Sequence, residues 1–175
     1  LIKDAKNKGI QVFVETCPHY LFLDETMYSK LNGLAKMNPP LRNKANQDYL
    51  WQALNDGVID TIGSDHAPHT LTEKDQPLCK CPSGVPGIET TLPLMLTAYK
   101  NGKVNLTKIV ELLSLNPKKL FNLPDNQDII FANIEDYREL KVESLCTKVA
   151  WSPFLGMKLT GYPEYLYTNN QFFHL

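Results

Sequence analysis

The sequence lacks most of the features that would assign it to a special class. No apolar stretch is long enough to cross a bilayer, and no signal-peptide pattern is present. No cluster of Lys and Arg offers a surface for nucleic acid, no acidic run suggests a disordered tail, and the net charge is −1. Cysteine is sparse: of Cys17, Cys79, Cys81 and Cys146 only the middle two lie close, and their single intervening residue is too few for zinc-finger spacing. The four read as reduced thiols of a cytoplasmic protein rather than as a disulfide framework. There is no internal repeat and no low-complexity tract. With 43% hydrophobic residues over 175 positions, the composition is that of a globular protein of one domain, or of one and a fraction.

What is present follows an α/β rhythm. Ile2, Ala5 and Lys6 keep helical spacing and Gly9 supplies the stop, so the chain opens inside a helix and reads as a piece of something longer. Ile10 to Glu15 is β-branched and apolar, which predicts a buried strand ending at Thr16-Cys17-Pro18. Asp24 is positioned to cap a short helix, and Asn38-Pro39-Pro40 forces an extended turn. Asn43 or Asn46 caps a helix carrying Tyr49, Leu50, Ala53 and Leu54, and Gly57 ends it. A second strand, Val58 to Ile62, follows. Residues 70–87 form a long loop, a length that usually marks function or mobility. A helix over Glu89 to Tyr99 must carry Pro93 in its first turn or be kinked by it. Thr107 caps a further helix, Ile109 to Leu115, which Asn116-Pro117 terminates. From about Asp128 short β-like runs take over, with a boundary near Leu123-Pro124-Asp125.

The chemistry concentrates where the second strand runs out, at Gly63-Ser64-Asp65-His66-Ala67-Pro68-His69-Thr70, closed by Glu73-Lys74. One carboxylate and two imidazoles within five residues are side chains that bind divalent metals and move protons near neutral pH. A bare Ser-Asp would read as a turn bonded to nearby backbone N–H groups; within Asp-His-Ala-Pro-His the functional reading is preferred.

Several segments together resemble the dihydroorotase family of the cyclic amidohydrolase superfamily. They are Glu15-Thr16-Cys17-Pro18-His19-Tyr20-Leu21, Met37-Asn38-Pro39-Pro40-Leu41-Arg42, the Gly63 to Lys74 block, the run from Pro82 to Leu96, and Trp151-Ser152-Pro153-Phe154. The first is shared with allantoinases and hydantoinases; His69, where allantoinases usually have cysteine, favours dihydroorotase. The resemblance implies the C-terminal portion of a (β/α)8 TIM barrel, strands seven and eight with their helices, over residues 1–124, and part of a small β module over 125–175. The implied reaction is the reversible cyclisation of N-carbamoyl-L-aspartate to dihydroorotate in pyrimidine biosynthesis. The family's one or two zinc ions are held by a His-x-His pair on strand one, a bridging carboxylated lysine or aspartate, two more histidines, and an aspartate after strand eight. Only that last ligand falls here, as Asp65. A zinc site takes about three or four ligands, so the chain by itself is expected to be inactive and to bind metal poorly.

By the same resemblance Asp65 is also the general base and then acid. His69 binds the substrate carboxylate, Asn38 the ring imide, and Ser83 and Gly84 offer backbone amides, Ser83 replacing a bulkier residue found in many relatives. His19 is set aside as a structural histidine under the barrel loops, and His66 as a packing residue. Glu73 and Lys74 tie down the loop or form a solvated pair, and Arg42 anchors its loop or binds a carboxylate. The expected partners are a small-molecule substrate, no nucleic acid, no membrane, and either a homo-oligomer or aspartate transcarbamoylase. Allantoinase or hydantoinase activity, and a non-catalytic dihydroorotase-like structural partner, are the alternatives.

Overall fold

The computed structural model describes residues 1–175 as a mixed α/β chain. Helix α1 (Ile2–Asn7) ends at Gly9, whose φ of 74° lies in the left-handed region that glycine enters freely. The Lys6 ammonium lies 2.6 Å from the Asp60 carboxylate, which also accepts the Val14 N–H at 2.7 Å. That knot ties α1 to the approaches of the two central strands. These strands, β1 (Glu15–Thr16) and β2 (Thr61–Ile62), pair in parallel with Glu15 opposite Thr61 and Thr16 opposite Ile62.

The ladder is much shorter than the apolar runs that predict it. Residues 10–14 and 58–60 lie outside it, and Ile10 and Phe13 are 57% and 61% exposed rather than buried. The reason is topological: β1 and β2 are each other's sole neighbours, so neither run has a second strand to pair with.

Between them, α2 (Pro18–Phe22) begins with proline, whose fixed φ and missing N–H suit a first helical position. Helix α3 (Met27–Leu31) starts after Thr26, not Asp24; the Asp24 carboxylate instead accepts from the Thr26 N–H and hydroxyl. Helix α4 (Lys44–Asn55) is capped by Asn43, whose side-chain oxygen accepts the Asn46 N–H. The long loop contains a single-turn helix, α5 (Leu71–Lys74), and ends at α6 (Ile88–Lys100). Pro93 sits inside α6, beyond its first turn, where the Thr97 hydroxyl bonds to its carbonyl at 2.7 Å.

The next helix differs from expectation at both ends. Asn105, not Thr107, caps α7 (Leu106–Val110), by accepting the Lys108 N–H. Asn116-Pro117 does not terminate the helical path: a π-helical turn (Glu111–Leu115) leads into α8 (Asn116–Leu120). Pro117 thereby falls near the start of a new α segment, where its missing N–H does least harm.

Two cores result. One gathers Leu21, Trp51, Leu54, Ile62, Met95 and Leu112; the other gathers Leu23, Met37, Val85, Leu94, Trp151 and Phe154. Helix α6 contributes to both, with Met95 in the first and Leu94 in the second, so it joins the two cores. In the tail, β3 (Ile129–Asn133), β6 (Tyr162–Thr168) and β7 (Gln171–His174) form an antiparallel sheet in the order β3-β6-β7. Its hairpin turns at Asn169-Asn170, both with positive φ, as the tight turns matching strand twist require. A smaller ladder pairs β4 (Arg138–Glu139) with β5 (Lys158–Leu159). No helix is long and apolar enough to cross a membrane.

Candidate active site around Asp65

Parallel pairing of β1 with β2 carries two sequence stretches to the same end of the ladder. One is Cys17-Pro18-His19, just past β1; the other is Gly63-Ser64-Asp65, just past β2. Asp65 has φ 44°, a left-handed conformation that aspartate adopts more readily than most residues. The Cys17 sulfur, a His19 ring nitrogen and an Asp65 oxygen all lie within 4.8 Å of one another.

His19 is 1% exposed, and its Nε2 has no hydrogen-bond partner. That nitrogen lies 3.6 Å from Asp65 Oδ2, while the Asp65 side chain remains 49% exposed. Burial lowers the His19 pKa to about 4, so its imidazole is neutral at pH 7. Burial pushes the Cys17 thiol up to about 12, with the Asp65 and Glu15 carboxylates adding to the effect. Burial, chiefly, also raises the Tyr20 phenol, with Cys17, Asp65 and Tyr28 contributing.

A neutral imidazole with a buried, unpaired nitrogen facing a carboxylate suits one flank of a divalent cation. The donors present therefore fit a metal. They are too few to enclose one, since a closed zinc site takes about four ligands.

The block after Asp65 is held against the long loop as a miniature ladder. His66 forms a parallel bridge with Val85, and the Ala67 N–H donates to Val85 O at 3.0 Å. His66 is more than a packing residue: its Nδ1 accepts the Gly87 and Ile88 N–H groups, satisfying donors at the start of α6 that the helix leaves unpaired. Gly84 has φ 125°, and a Cβ there would stand 2.4 Å from Ala67 O; only glycine allows this approach. Thr70 and Glu73 form a reciprocal capping box over α5. His69 lies half-buried with Nδ1 3.8 Å from Glu73 Oε2, and its carbonyl accepts the Trp151 Nε1–H at 2.8 Å.

Asn38 is exposed, at a cis peptide bond to Pro39, and its side chain makes no hydrogen bond within the chain; neither does that of Ser83. Backbone contact brings the two segments together, with the Gly84 N–H donating to Lys36 O at 2.9 Å. Asp65 and His69 thus share one loop, Gly84 packs directly against it, and Asn38 joins through the Lys36 carbonyl. The side chains of Asn38, His69, Ser83 and Asp65 make no hydrogen bonds to one another.

Two features were read only in part from the sequence. The proximity of Cys17 and His19 to Asp65 follows only from pairing β1 with β2, although their spacing just past a strand is a usable signal. Lys74 is 2% exposed, so of its two readings the loop tie holds and the solvated pair with Glu73 does not; the carbonyls it meets were not foreseen.

No protein-family model matches the chain. The chain is 39% identical over 170 residues to a dihydroorotase of Macrococcus caseolyticus, covering 92% of this chain and 40% of that protein. Among solved structures it is similar to the L-hydantoinase (dihydropyrimidinase) of Arthrobacter aurescens, with a TM-score of 0.92 and 28% identity, over 98% of this chain and 41% of the other. It is also similar to the inactive dihydroorotase-like domain of a CAD-like multifunctional protein from Chaetomium thermophilum, with a TM-score of 0.76 and 25% identity, over 98% of this chain and 46% of that one. The chain spans about two-fifths of the length of the curated relatives it matches.

Proposed function

We propose that this chain, which belongs to the dihydroorotase family by sequence and to the cyclic amidohydrolases by fold, is the C-terminal portion of a zinc-dependent dihydroorotase. On this reading β1 and β2 are strands seven and eight of a (β/α)8 barrel covering residues 1–124, and residues 125–175 belong to a flanking β module. The observation that carries it is Asp65, on a left-handed backbone just past a parallel strand, facing a buried imidazole nitrogen that has no other partner. The end of a barrel strand is where such folds keep their catalytic groups.

Asp65 would hold the zinc from this chain, and the remaining ligands would come from outside it. Zinc, when bound, polarises a carbonyl and makes water acidic enough to ionise near neutral pH. Asp65 accepts a proton from the water that attacks the ring amide carbon of dihydroorotate. As the ring C–N bond breaks, it returns that proton to the leaving nitrogen, giving N-carbamoyl-L-aspartate. The reverse sequence closes the ring and releases water. Neutral His19 holds its unpaired Nε2 3.6 Å from the carboxylate. His69 donates to the substrate carboxylate, Asn38 offers donor and acceptor to the ring imide, and the backbone of Ser83 and Gly84 completes the pocket. The setting is a cytoplasmic one, with the protein forming a homo-oligomer or associating with aspartate transcarbamoylase.

The test is turnover by the intact protein, loaded with zinc, of dihydroorotate, allantoin and hydantoin in parallel. Dihydroorotate alone should be consumed. Turnover of only allantoin or hydantoin would reassign the substrate, a reading that the likeness to hydantoinase structures supports. The likeness to an inactive dihydroorotase-like domain favours a second reading, that of a non-catalytic structural partner. That reading prevails if the intact protein holds no zinc and lacks a His-x-His pair upstream.

A further inference from the structure

Lys74 is the most unusual charge in the molecule. It is 2% exposed, yet no carboxylate pairs with it. Its ammonium donates to three backbone carbonyls: Lys36 O at 3.2 Å, Pro82 O at 3.0 Å and Gly84 O at 2.9 Å. An ammonium has three N–H donors and no acceptor, so its hydrogen-bonding capacity is used in full. It also lies 5.7 Å from the centre of the Trp151 ring, within range of a cation–π attraction.

Each contact leads to a segment assigned above to substrate. Lys36 O precedes Asn38 by two residues and also receives the Gly84 N–H at 2.9 Å. Pro82 O and Gly84 O flank Ser83. Trp151 donates its Nε1–H to His69 O at 2.8 Å. Gly33 allows the close approach beneath, since a Cβ there would stand 2.3 Å from Lys74 O. One buried cation therefore touches the Asn38 turn and the Ser83–Gly84 loop directly, and the His69 loop through one indole.

We propose that Lys74 is a positioning residue, a buried ammonium clamp that sets the Asn38 turn, the Ser83–Gly84 loop and His69 at the spacing needed to grip the substrate. The inference rests on the dihydroorotase reading and adds to it a residue that touches neither substrate nor zinc. Burying an ammonium is costly unless all its donors are met, so the three carbonyls have one favourable arrangement around it. A neutral side chain would leave those carbonyls free to drift apart.

The test uses the intact, zinc-loaded enzyme carrying Lys74→Met and, separately, Lys74→Arg. Methionine keeps the apolar stem; arginine keeps the charge but offers a planar fork in place of three diverging donors. Both variants should hold wild-type zinc. KM for dihydroorotate should rise roughly ten- to a hundredfold while kcat changes only a few-fold, as expected when ground-state positioning is lost. Unchanged KM in a folded variant, or loss of kcat with KM intact, overturns the clamp. If Lys74→Met fails to fold, Lys74→Arg decides by the same two criteria. Amide hydrogen exchange separates failure of the clamp from failure of the dihydroorotase assignment. Even in a protein that ignores dihydroorotate, the Gly84 N–H should exchange at least tenfold faster in the variants than in wild type, and equal exchange refutes the clamp.

Discussion

On the proposed reading Asp65 carries two separable loads, one chemical and one conformational, and three substitutions in the intact protein should pull them apart. Asparagine keeps the shape and the tolerance for left-handed backbone but cannot serve as base or anionic ligand. Alanine loses the chemistry and also resists φ 44°, where an ordinary L-residue is disfavoured by about 1–2 kcal/mol. Glycine loses the chemistry but is free of that strain. Loss of a positioned acid–base group costs roughly 10²–10⁴ in rate. Loss of the ligand adds to this, so kcat/KM should fall by at least about 10³, or roughly 4 kcal/mol of transition-state stabilisation, in all three. Stability should separate them: Asp65→Ala should unfold at lower urea than Asp65→Asn, by about 1 kcal/mol, with Asp65→Gly close to the asparagine variant. The assays are dihydroorotate turnover, zinc content by metal analysis, and urea unfolding followed by tryptophan fluorescence. Turnover by Asp65→Asn within tenfold of wild type would refute the proton-transfer role. An alanine variant as stable as the asparagine one would refute the backbone argument.

Removing zinc from the intact enzyme with a chelator should abolish turnover, and added zinc should restore it; activity that survives complete metal removal contradicts the mechanism. In the native protein at pH 8, Cys79 and Cys146, both exposed, should react readily with iodoacetamide, whereas Cys17, buried and held near pKa 12, and buried Cys81 should not; mass mapping of the labelled peptides reads the result. The 175-residue chain expressed alone should aggregate or unfold without a sharp transition, because Ile10, Phe13, Ile129, Ile130, Phe131 and Phe172 are exposed; a cooperative calorimetric melt of the monomer would contradict this.

How legible the molecule was in its sequence depended on how local each cause is. Gly9 and Gly57 end helices through their own backbone and each could be read directly, while Asn43 was one of two candidates, with Asn46, for the cap of α4. Caps with near rivals were misjudged: Thr26 for Asp24 and Asn105 for Thr107, each displaced by two residues, because several hydrogen-bonding side chains crowd each helix start. Strand length could not be read, since it depends on a neighbouring strand rather than on the apolar run itself, and β1 and β2 have only one neighbour each. The Asp-His-Ala-Pro-His block was visible because its residue types are chemically unusual together. Lys74 was legible only as one of two readings, a loop tie or a solvated pair, because nothing in Thr-Glu-Lys distinguishes an ammonium facing water from one facing three carbonyls. That distinction is made by Pro82, Gly84 and Trp151, up to 77 positions away in the sequence.

The two flanks of the proposed site differ in how much of their support lies within this chain. On the substrate flank, the Asn38, His69 and Ser83–Gly84 segments are tied together by Lys74, Trp151 and the close approach of Gly84 to Ala67. On the metal flank, the chain offers one carboxylate, one neutral imidazole with an unpaired nitrogen, and a thiol that is protonated at neutral pH. A cation needs ligands from several directions at once, so on the proposed reading that flank would depend on contributions from outside the chain, whereas the loops assigned to substrate are held together within it. The unpaired His19 nitrogen is where this asymmetry is most visible. A buried polar atom left without a partner costs about 1–3 kcal/mol, and the one group facing it, Asp65 at 3.6 Å, is too far for a good hydrogen bond.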